Sequence, residues 1–193
     1  MASLAAIGFR AHSGWAAAVA IAGRRDAPAV VTRRRIEMGL AQPYHASVGL
    51  ELREAQRIVE GSAARAAAMA TAALSGLIED LRGLGHEAAG CGLLLASGRP
   101  LPPLERILAS HPLLHTAEGE MFREALRTAS RACSLPLTAV KERELFTRAA
   151  AVLRIPALQI ERHVAALGKA IGPPWRQDEK LAAAAAWLAL GAR

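Results

Sequence analysis

The amino-acid sequence predicts an α/β fold in which a five-stranded mixed sheet is flanked by helices. Three strand-like segments follow one another directly at the start of the 193-residue chain, which predicts an antiparallel meander. Two later apolar segments are each preceded by a helical pattern, and such strands join a sheet in parallel through right-handed crossovers. We therefore expect a three-strand meander followed by βαβ units in one domain, residues 1–193.

The first three strands are recognised by alternation and by turn residues. Residues 4–10 and 15–22 are apolar segments separated by a short link around Gly14. In the second segment the larger side chains recur at every second position, which is the period of a strand. A turn rich in Gly, Asp and Pro follows, and residues 29–38 predict the third strand.

The later elements are helices that alternate with two buried strands. A long amphipathic helix is predicted from about residue 50 to 84, because its apolar side chains recur at intervals of three and four. Residues 88–97 are apolar at both strand parities, which is typical of a buried parallel strand. A fifth strand is predicted at 135–142, and helices over 156–190 close the chain.

The charge of the chain favours an anionic partner. The formal net charge is +7 and the isoelectric point is about 10.6, values that favour polyanions such as nucleic acids. The two cysteines are far apart and lack the spacing of a zinc motif. The start has no basic leader segment, and the closing apolar run is too short to span a bilayer. We therefore expect a cytoplasmic protein with no membrane partner.

The opening AIGFRAHSGWAAAVAIAG and the closing PPWRQDEKLAAAAAWLAL carry a family resemblance. The first is similar to the opening hairpin of the ribonuclease H-like superfamily, which includes ribonucleases H, Holliday-junction resolvases and transposase cores. The second is similar to the last helix of the resolvases. The resemblance covers most of the chain and implies a ribonuclease H-like sheet. In nucleases of this type, carboxylates hold two metal ions that clamp the attacking and leaving oxygens.

The carboxylates that this resemblance implies are largely missing. Strand one offers Arg10 where an acid is implied, and the end of strand four offers Arg99. The glutamates of the first helix are typical of a solvated face. Asp178 and Glu179, at the start of the last helix, lie where the superfamily keeps an acid. We therefore expect that the chain is not a two-metal nuclease, and we assign no metal ligand unless Asp178 and Glu179 serve as one.

The same end of the predicted sheet is a hypothetical anion-binding site. Arginine side chains at strand ends and the N-terminus of a helix both attract anions. We expect this end to bind nucleic acid or another phosphate-bearing ligand, with Trp175 as a stacking face. The candidate ligand-binding residues are Arg10, Arg99, Trp175, Arg176, Lys180 and the loop residue His45. In the alternative, Asp178 and Glu179 complement the helix dipole, and Arg176 and Lys180 are merely solvated.

A second hypothetical site combines imidazole and carboxylate groups. His115 and Glu118 lie three residues apart, on one face of a predicted helix, and Glu142 follows the fifth strand. A carboxylate beside an imidazole is useful in a general base, so these three residues are catalytic candidates. The alternative is a local pairing of His115 with Glu118. The histidines without usable spacing are His12, His86, His111 and His163.

Three functions are compatible with these patterns. The first is binding of nucleic acid or another phosphate-bearing ligand, and the second is a small-molecule enzyme that uses His115, Glu118 and Glu142. The third is a homodimeric scaffold in which the helix over 50–84 packs on a second copy. Three consecutive arginines in the third strand either track a phosphate backbone or protect a sheet edge. The sequence has no nucleotide-binding loop or dinucleotide fingerprint, so any cofactor stays unknown at this point.

Overall fold

One mixed sheet organises the protein. The computed structural model describes residues 2–96 and 100–192. Its strands are β1 Ser3–His12, β2 Trp15–Arg24, β3 Ala27–Glu37, β4 His86–Leu95 and β5 Leu137–Lys141. Their order in the sheet is β3-β2-β1-β4-β5, with β1, β2 and β3 antiparallel and β4 parallel to both β1 and β5. The predicted meander followed by parallel strands is confirmed.

Helices cover both faces of this sheet. They are α1 Leu52–Gly83, α2 Leu104–Leu108, α3 His111–Ala132, α4 Leu145–Leu153, α5 Ala157–Ile171 and α6 Gln177–Gly191. Short 3-10 turns occupy His45–Ser47 and Glu142–Glu144. One core lies between the sheet and α1 and α3, and a second lies between the sheet and α4, α5 and α6.

The alanine-rich helix α6 packs with its backbone directly on the sheet. A Cβ atom added at Gly8 of β1 would lie 1.8 Å from the carbonyl oxygen of Ala182. One added at Gly92 of β4 would lie 2.2 Å from the carbonyl oxygen of Ala185. Small residues on both sides therefore allow the close approach, which explains why this helix is built from alanine.

The apolar face of α1 packs inside the chain. Leu74, Leu77 and Leu81 are at most 1% exposed and belong to the core that α1 shares with α3 and the sheet. These three side chains are thus used within the chain, and packing of a second copy on this helix stays a prediction. In the part of the chain that the structure describes, none of the helices combines the length and apolar character needed to cross a membrane.

Candidate functional site

The guanidinium of Arg10, near the end of β1, is the centre of the candidate site. Its Nε and Nη2 donate to the two carboxylate oxygens of Glu142 at 3.2 and 3.3 Å, and its Nη1 donates to Oδ1 of Asp178. Glu142 immediately follows β5, and Asp178 lies in the first turn of α6. Three segments that are distant in sequence therefore meet at the carboxyl ends of β1 and β5.

The packing of α6 on the sheet brings these residues together. Arg10 lies two residues beyond Gly8 and so faces the same side of β1, because strand side chains alternate. Asp178 lies one helical turn before Ala182, the residue whose carbonyl approaches Gly8. The close contact between strand and helix thus sets Arg10 opposite Asp178.

Mutual contacts fix the charges in this cluster. Burial raises the pKa of Asp178, but hydrogen bonds to Arg10 and His12 outweigh burial and leave this pKa below its usual value. The Nε2 atom of His12 lies 2.9 Å from Oδ1 of Asp178. Burial lowers the pKa of Arg10, whereas Glu142 and Asp178 raise it by more, so it lies above its usual value. Arg10 and Asp178 are therefore both ionised at neutral pH.

An aromatic stack extends the site onto β2. His12 and Trp15 flank a two-residue turn in which Gly14 adopts a positive φ of 82°, a conformation that favours glycine. The two rings stack with their centroids 4.3 Å apart and their planes inclined by 11°. The guanidinium carbon of Arg35 lies 3.8 Å from the centroid of the Trp15 ring. Trp15 therefore positions the Arg35 guanidinium beside the Arg10 cluster through a cation–π contact.

A cleft of about 350 Å³ lies beside this stack. It is lined by Trp15, Ala17, Arg33, Arg34, Arg35, Pro174, Arg176, Asp178 and Glu179. The guanidinium groups of Arg33, Arg35 and Arg176 outnumber the carboxylates of Asp178 and Glu179, so the lining is net positive, whereas Arg34 pairs with Asp80 of α1 on the other face of the sheet. Arg33 donates to the carbonyl oxygens of Gly172 at 2.7 Å and Pro173 at 2.6 Å, and also to that of Pro174. These neutral acceptors position Arg33 without cancelling its charge.

The arginines of β3 differ in their ionic partners. Arg34 forms an ion pair with Asp80 of α1, and Arg35 pairs with Glu37. Neither Arg33 nor Arg176 has a carboxylate partner within the described ranges 2–96 and 100–192. The alternation predicted for this strand is seen, because Arg33 reaches the α6 side of the sheet and Arg34 reaches α1.

The other cationic residues predicted to bind an anion at this end of the sheet are found at the start of α6, except Arg99. Arg176 is exposed, and Lys180 is half-buried in the first turn of α6. The backbone N–H of Arg176 donates to Oε2 of Glu179 at 2.8 Å, so Glu179 caps its own helix. Arg99 lies outside the described residues.

Trp175 does not provide the stacking face that the sequence analysis assigned to it. Its indole N–H donates to the carbonyl oxygen of Val164 at 2.9 Å. The ring also fills the space beside Gly168, where an added Cβ atom would lie 2.2 Å from the indole. Trp175 is therefore part of the packing on α5, and that assignment was wrong. The ring beside the cleft belongs to Trp15, which alternation had identified only as a strand residue.

A second polar cluster forms where α3 begins. The Nδ1 atom of His45 lies 2.8 Å from Oε1 of Glu118, and the Nδ1 atom of His115 lies 4.0 Å from Oε2 of the same carboxylate. His111 joins them, with its ring centroid 4.6 Å from that of His115. The contact between the turn that carries His45 and helix α3 was not visible in sequence, although His111 and His115 are spaced by one helical turn. His45 thus belongs to this cluster and not to the anion-binding face.

Glu142 does not take part in this second cluster. Its carboxylate accepts hydrogen bonds from Arg10, whose side chain lies on the face of the sheet that packs against α6. Glu118 belongs to α3, which packs on the opposite face of the sheet. The catalytic grouping of Glu142 with His115 and Glu118 that the sequence analysis proposed was therefore wrong.

The sheet order and the helix that closes the chain define a ribonuclease H-like fold, as the two sequence segments implied. Thermus thermophilus RuvC in complex with a Holliday junction substrate superposes with a TM-score of 0.56 at 9% identity, covering 96% of this chain and 91% of that chain. A second Thermus thermophilus RuvC structure gives a TM-score of 0.53 at 10% identity, covering 96% and 92%. No protein-family description matches the sequence, and no curated protein is similar to it in sequence.

Proposed function

We propose that this chain binds nucleic acid, or another phosphate-bearing ligand, at the strand-end face beside α6, and that it is not a two-metal nuclease. The observation that carries the proposal is the position of Arg10, whose guanidinium lies between Asp178 and Glu142. The bound face comprises this cluster, the cleft beside Trp15, and the start of α6.

The carboxylates of this face do not fit the two divalent cations that the family resemblance implies. Asp178 and Glu142 already have a cationic partner, and Glu179 accepts a hydrogen bond from the backbone at the start of its helix. A hard cation such as Mg²⁺ requires several free oxygen ligands. The positive charge of Arg10 also opposes binding of a second cation at the same place. The Arg10 guanidinium therefore takes the place of a metal ion in neutralising the negative charge of Asp178 and Glu142.

Phosphate binding is favoured by positively charged side chains that have no carboxylate partner in the part of the chain that the structure describes. Arg33 and Arg176 line the cleft without a carboxylate partner among the described residues, and Lys180 lies one turn further along α6. The first turn of a helix adds backbone N–H groups that attract anions. The faces of the Trp15 ring are taken by His12 and by Arg35, so this ring serves to position the Arg35 cation beside the cleft. That the similar RuvC structure contains a Holliday junction supports branched DNA as the first ligand to test.

The proposal is tested by binding of fluorescein-labelled DNA, measured as anisotropy for a four-way junction, a duplex and a single strand. The double variant Arg176→Ala/Lys180→Ala removes two cations spaced by four residues. We expect it to bind several-fold more weakly and to reduce the slope of log K against log salt by about two. The matched control is Arg53→Ala/Arg57→Ala, which removes two exposed arginines with the same spacing on α1. An equal loss of DNA affinity in both double variants would contradict the proposed binding face.

A further inference from the structure

The histidine cluster at the start of α3 has the ligand types and proximity of a metal site. One potential ligand nitrogen from each of His45, His111 and His115 lies within 4.8 Å of the others. The ring centroids of His45 and His115 are 4.7 Å apart, and those of His45 and His111 are 5.4 Å apart. The rings meet at angles of 52° to 87° and are not stacked. Their nitrogens therefore converge on a common region.

Two of the three histidines are placed by helical spacing. His111 and His115 lie four residues apart at the start of α3, so they share one face of the helix. Histidines with this spacing on a helix are a recurrent metal-binding arrangement. Both side chains are exposed, His115 by 54%, and are free to adjust their rotamers.

The third histidine is held by a buried carboxylate. Oε1 of Glu118 lies 2.8 Å from Nδ1 of His45 and also accepts the backbone N–H of His45 at 3.3 Å. A proton on Nδ1 in this contact leaves Nε2 of His45 unprotonated and able to bind a metal. Carboxylates that bind the second nitrogen of a ligating imidazole are a general feature of zinc sites.

The other oxygen of Glu118 is buried without a hydrogen-bond partner within the described portion of the chain. Glu118 is 0% exposed, and its Oε2 has no hydrogen-bond partner among residues 2–96 and 100–192. This oxygen points toward His115, whose Nδ1 is 4.0 Å away. A buried carboxylate oxygen that has no partner is unfavourable. A divalent cation held by the three imidazoles would supply the opposite charge at this position.

The geometry points to a binding site for a divalent transition metal ion of the zinc type, with His45, His111 and His115 as ligands and Glu118 as the residue that orients His45. Imidazole nitrogens select zinc and its neighbours over Mg²⁺, which requires oxygen ligands. Three protein ligands leave one tetrahedral position for water or a substrate. The exposed side chains of His111 and His115 would rotate on binding to reach a Zn–N distance of about 2.0–2.1 Å. The site is independent of the proposed DNA-binding face, which lies across the sheet.

The test is isothermal titration of the full chain, purified without a histidine tag and stripped with a chelator, using Zn²⁺ alone. We expect one ion per chain, unaffected by millimolar Mg²⁺, and a rise in unfolding temperature when Zn²⁺ is present. Co²⁺ in place of Zn²⁺ is expected to give the visible absorption of a four-coordinate site. No stoichiometric binding by the wild-type chain would overturn the inference.

Variants identify the ligands. We expect His111→Ala to lower zinc affinity by more than about 100-fold, and Glu118→Gln to lower it by about 10–100-fold. His86→Ala, which removes the histidine that begins β4 and contacts Ser3, is the control and should bind zinc as the wild type does. Because His111 is exposed, its loss leaves the fold intact, and retention of zinc by His111→Ala would overturn the assignment. Circular dichroism without metal verifies that each variant is folded.

Discussion

The Arg10 guanidinium of β1 and the Asp178 carboxylate of α6 form an ion pair that joins the sheet to the helix packed on it. The side chains are 23% and 24% exposed, so both are partly shielded from solvent. Glu142 contacts the same guanidinium, and His12 contacts the same carboxylate. Linked contacts of this kind stabilise one another more than an isolated surface pair. The pair also sets the charge of the face to which we assign ligand binding.

Removal of the guanidinium is expected to destabilise the fold. Arg10→Ala leaves the partly buried Asp178 without its main partner, which we expect to cost about 1–3 kcal/mol of the free energy of unfolding. Arg24→Ala is the matched control, since Arg24 pairs with Asp26 at exposures of 81% and 66%, and solvent screens a pair so exposed that its loss should change stability little. Urea unfolding at pH 7 measures both. Equal destabilisation by the two variants would show that Arg10 acts as an ordinary surface residue.

The free energy of unfolding is expected to depend on pH through the ionisation of Asp178. Its pKa is lowered in the folded chain, so its stabilising contribution is complete above the pKa of an unfolded aspartate, about 3.9. That contribution is lost as the pH falls through the lower pKa of the folded state. We expect Asp178→Asn to be less stable than the wild type at pH 7, and the difference to disappear in strong acid. A difference that persists unchanged into strong acid would contradict the ionic contribution.

Restoring an acid on β1 is expected to create a cation site. Arg10→Asp places a third carboxylate beside Asp178 and Glu142, and the mutual repulsion of three acids lowers stability in the absence of metal. Oxygen ligands of this kind bind Mg²⁺. We therefore expect Mg²⁺ at ten times its dissociation constant to stabilise the variant by about 1.4 kcal/mol, and to leave the wild type unchanged. Thermal unfolding with and without Mg²⁺ measures this, and stabilisation of the wild type by Mg²⁺ would count against our account of Arg10.

The close approach of α6 to the sheet is expected to tolerate no side chain at Gly8. In Gly8→Ala the new methyl group meets the carbonyl oxygen of Ala182 at 1.8 Å before relaxation. We expect this to destabilise the fold by at least about 2 kcal/mol, because the helix must move. Gly61→Ala, in the open middle of α1 with nothing within 4 Å, is the control and should stabilise by about 0.5–1 kcal/mol. Equal midpoints of urea unfolding for the two variants would refute this packing.

The fold was predictable because its signals are local. The alternation in β2, the three-and-four spacing in α1 and the apolar run of β4 each specify one element, and the chain order then restricts the topology. The meeting of Arg10 with the start of α6 followed from that topology, since the strand ends and the beginning of the last helix lie at one end of the sheet.

The remaining site residues depended on contacts that local patterns do not encode. Trp175 was misassigned because the space it fills is created by Gly168, whose missing side chain matters only once α5 is packed. His111 was overlooked because its partners include His45, held in place by the buried Glu118. Glu142 was grouped with His115 because sequence does not show that they belong to opposite faces of one sheet.

The salt dependence of DNA binding by the wild-type chain tests the central claim most directly. A labelled four-way junction is titrated at a series of salt concentrations, first without a divalent cation and then with Mg²⁺, and the DNA is recovered for electrophoresis. We predict a dissociation constant that rises steeply with salt, as expected when several phosphates are neutralised, and DNA that is uncut in Mg²⁺. Binding that is absent or insensitive to salt, or cleavage that depends on Mg²⁺, would contradict the account.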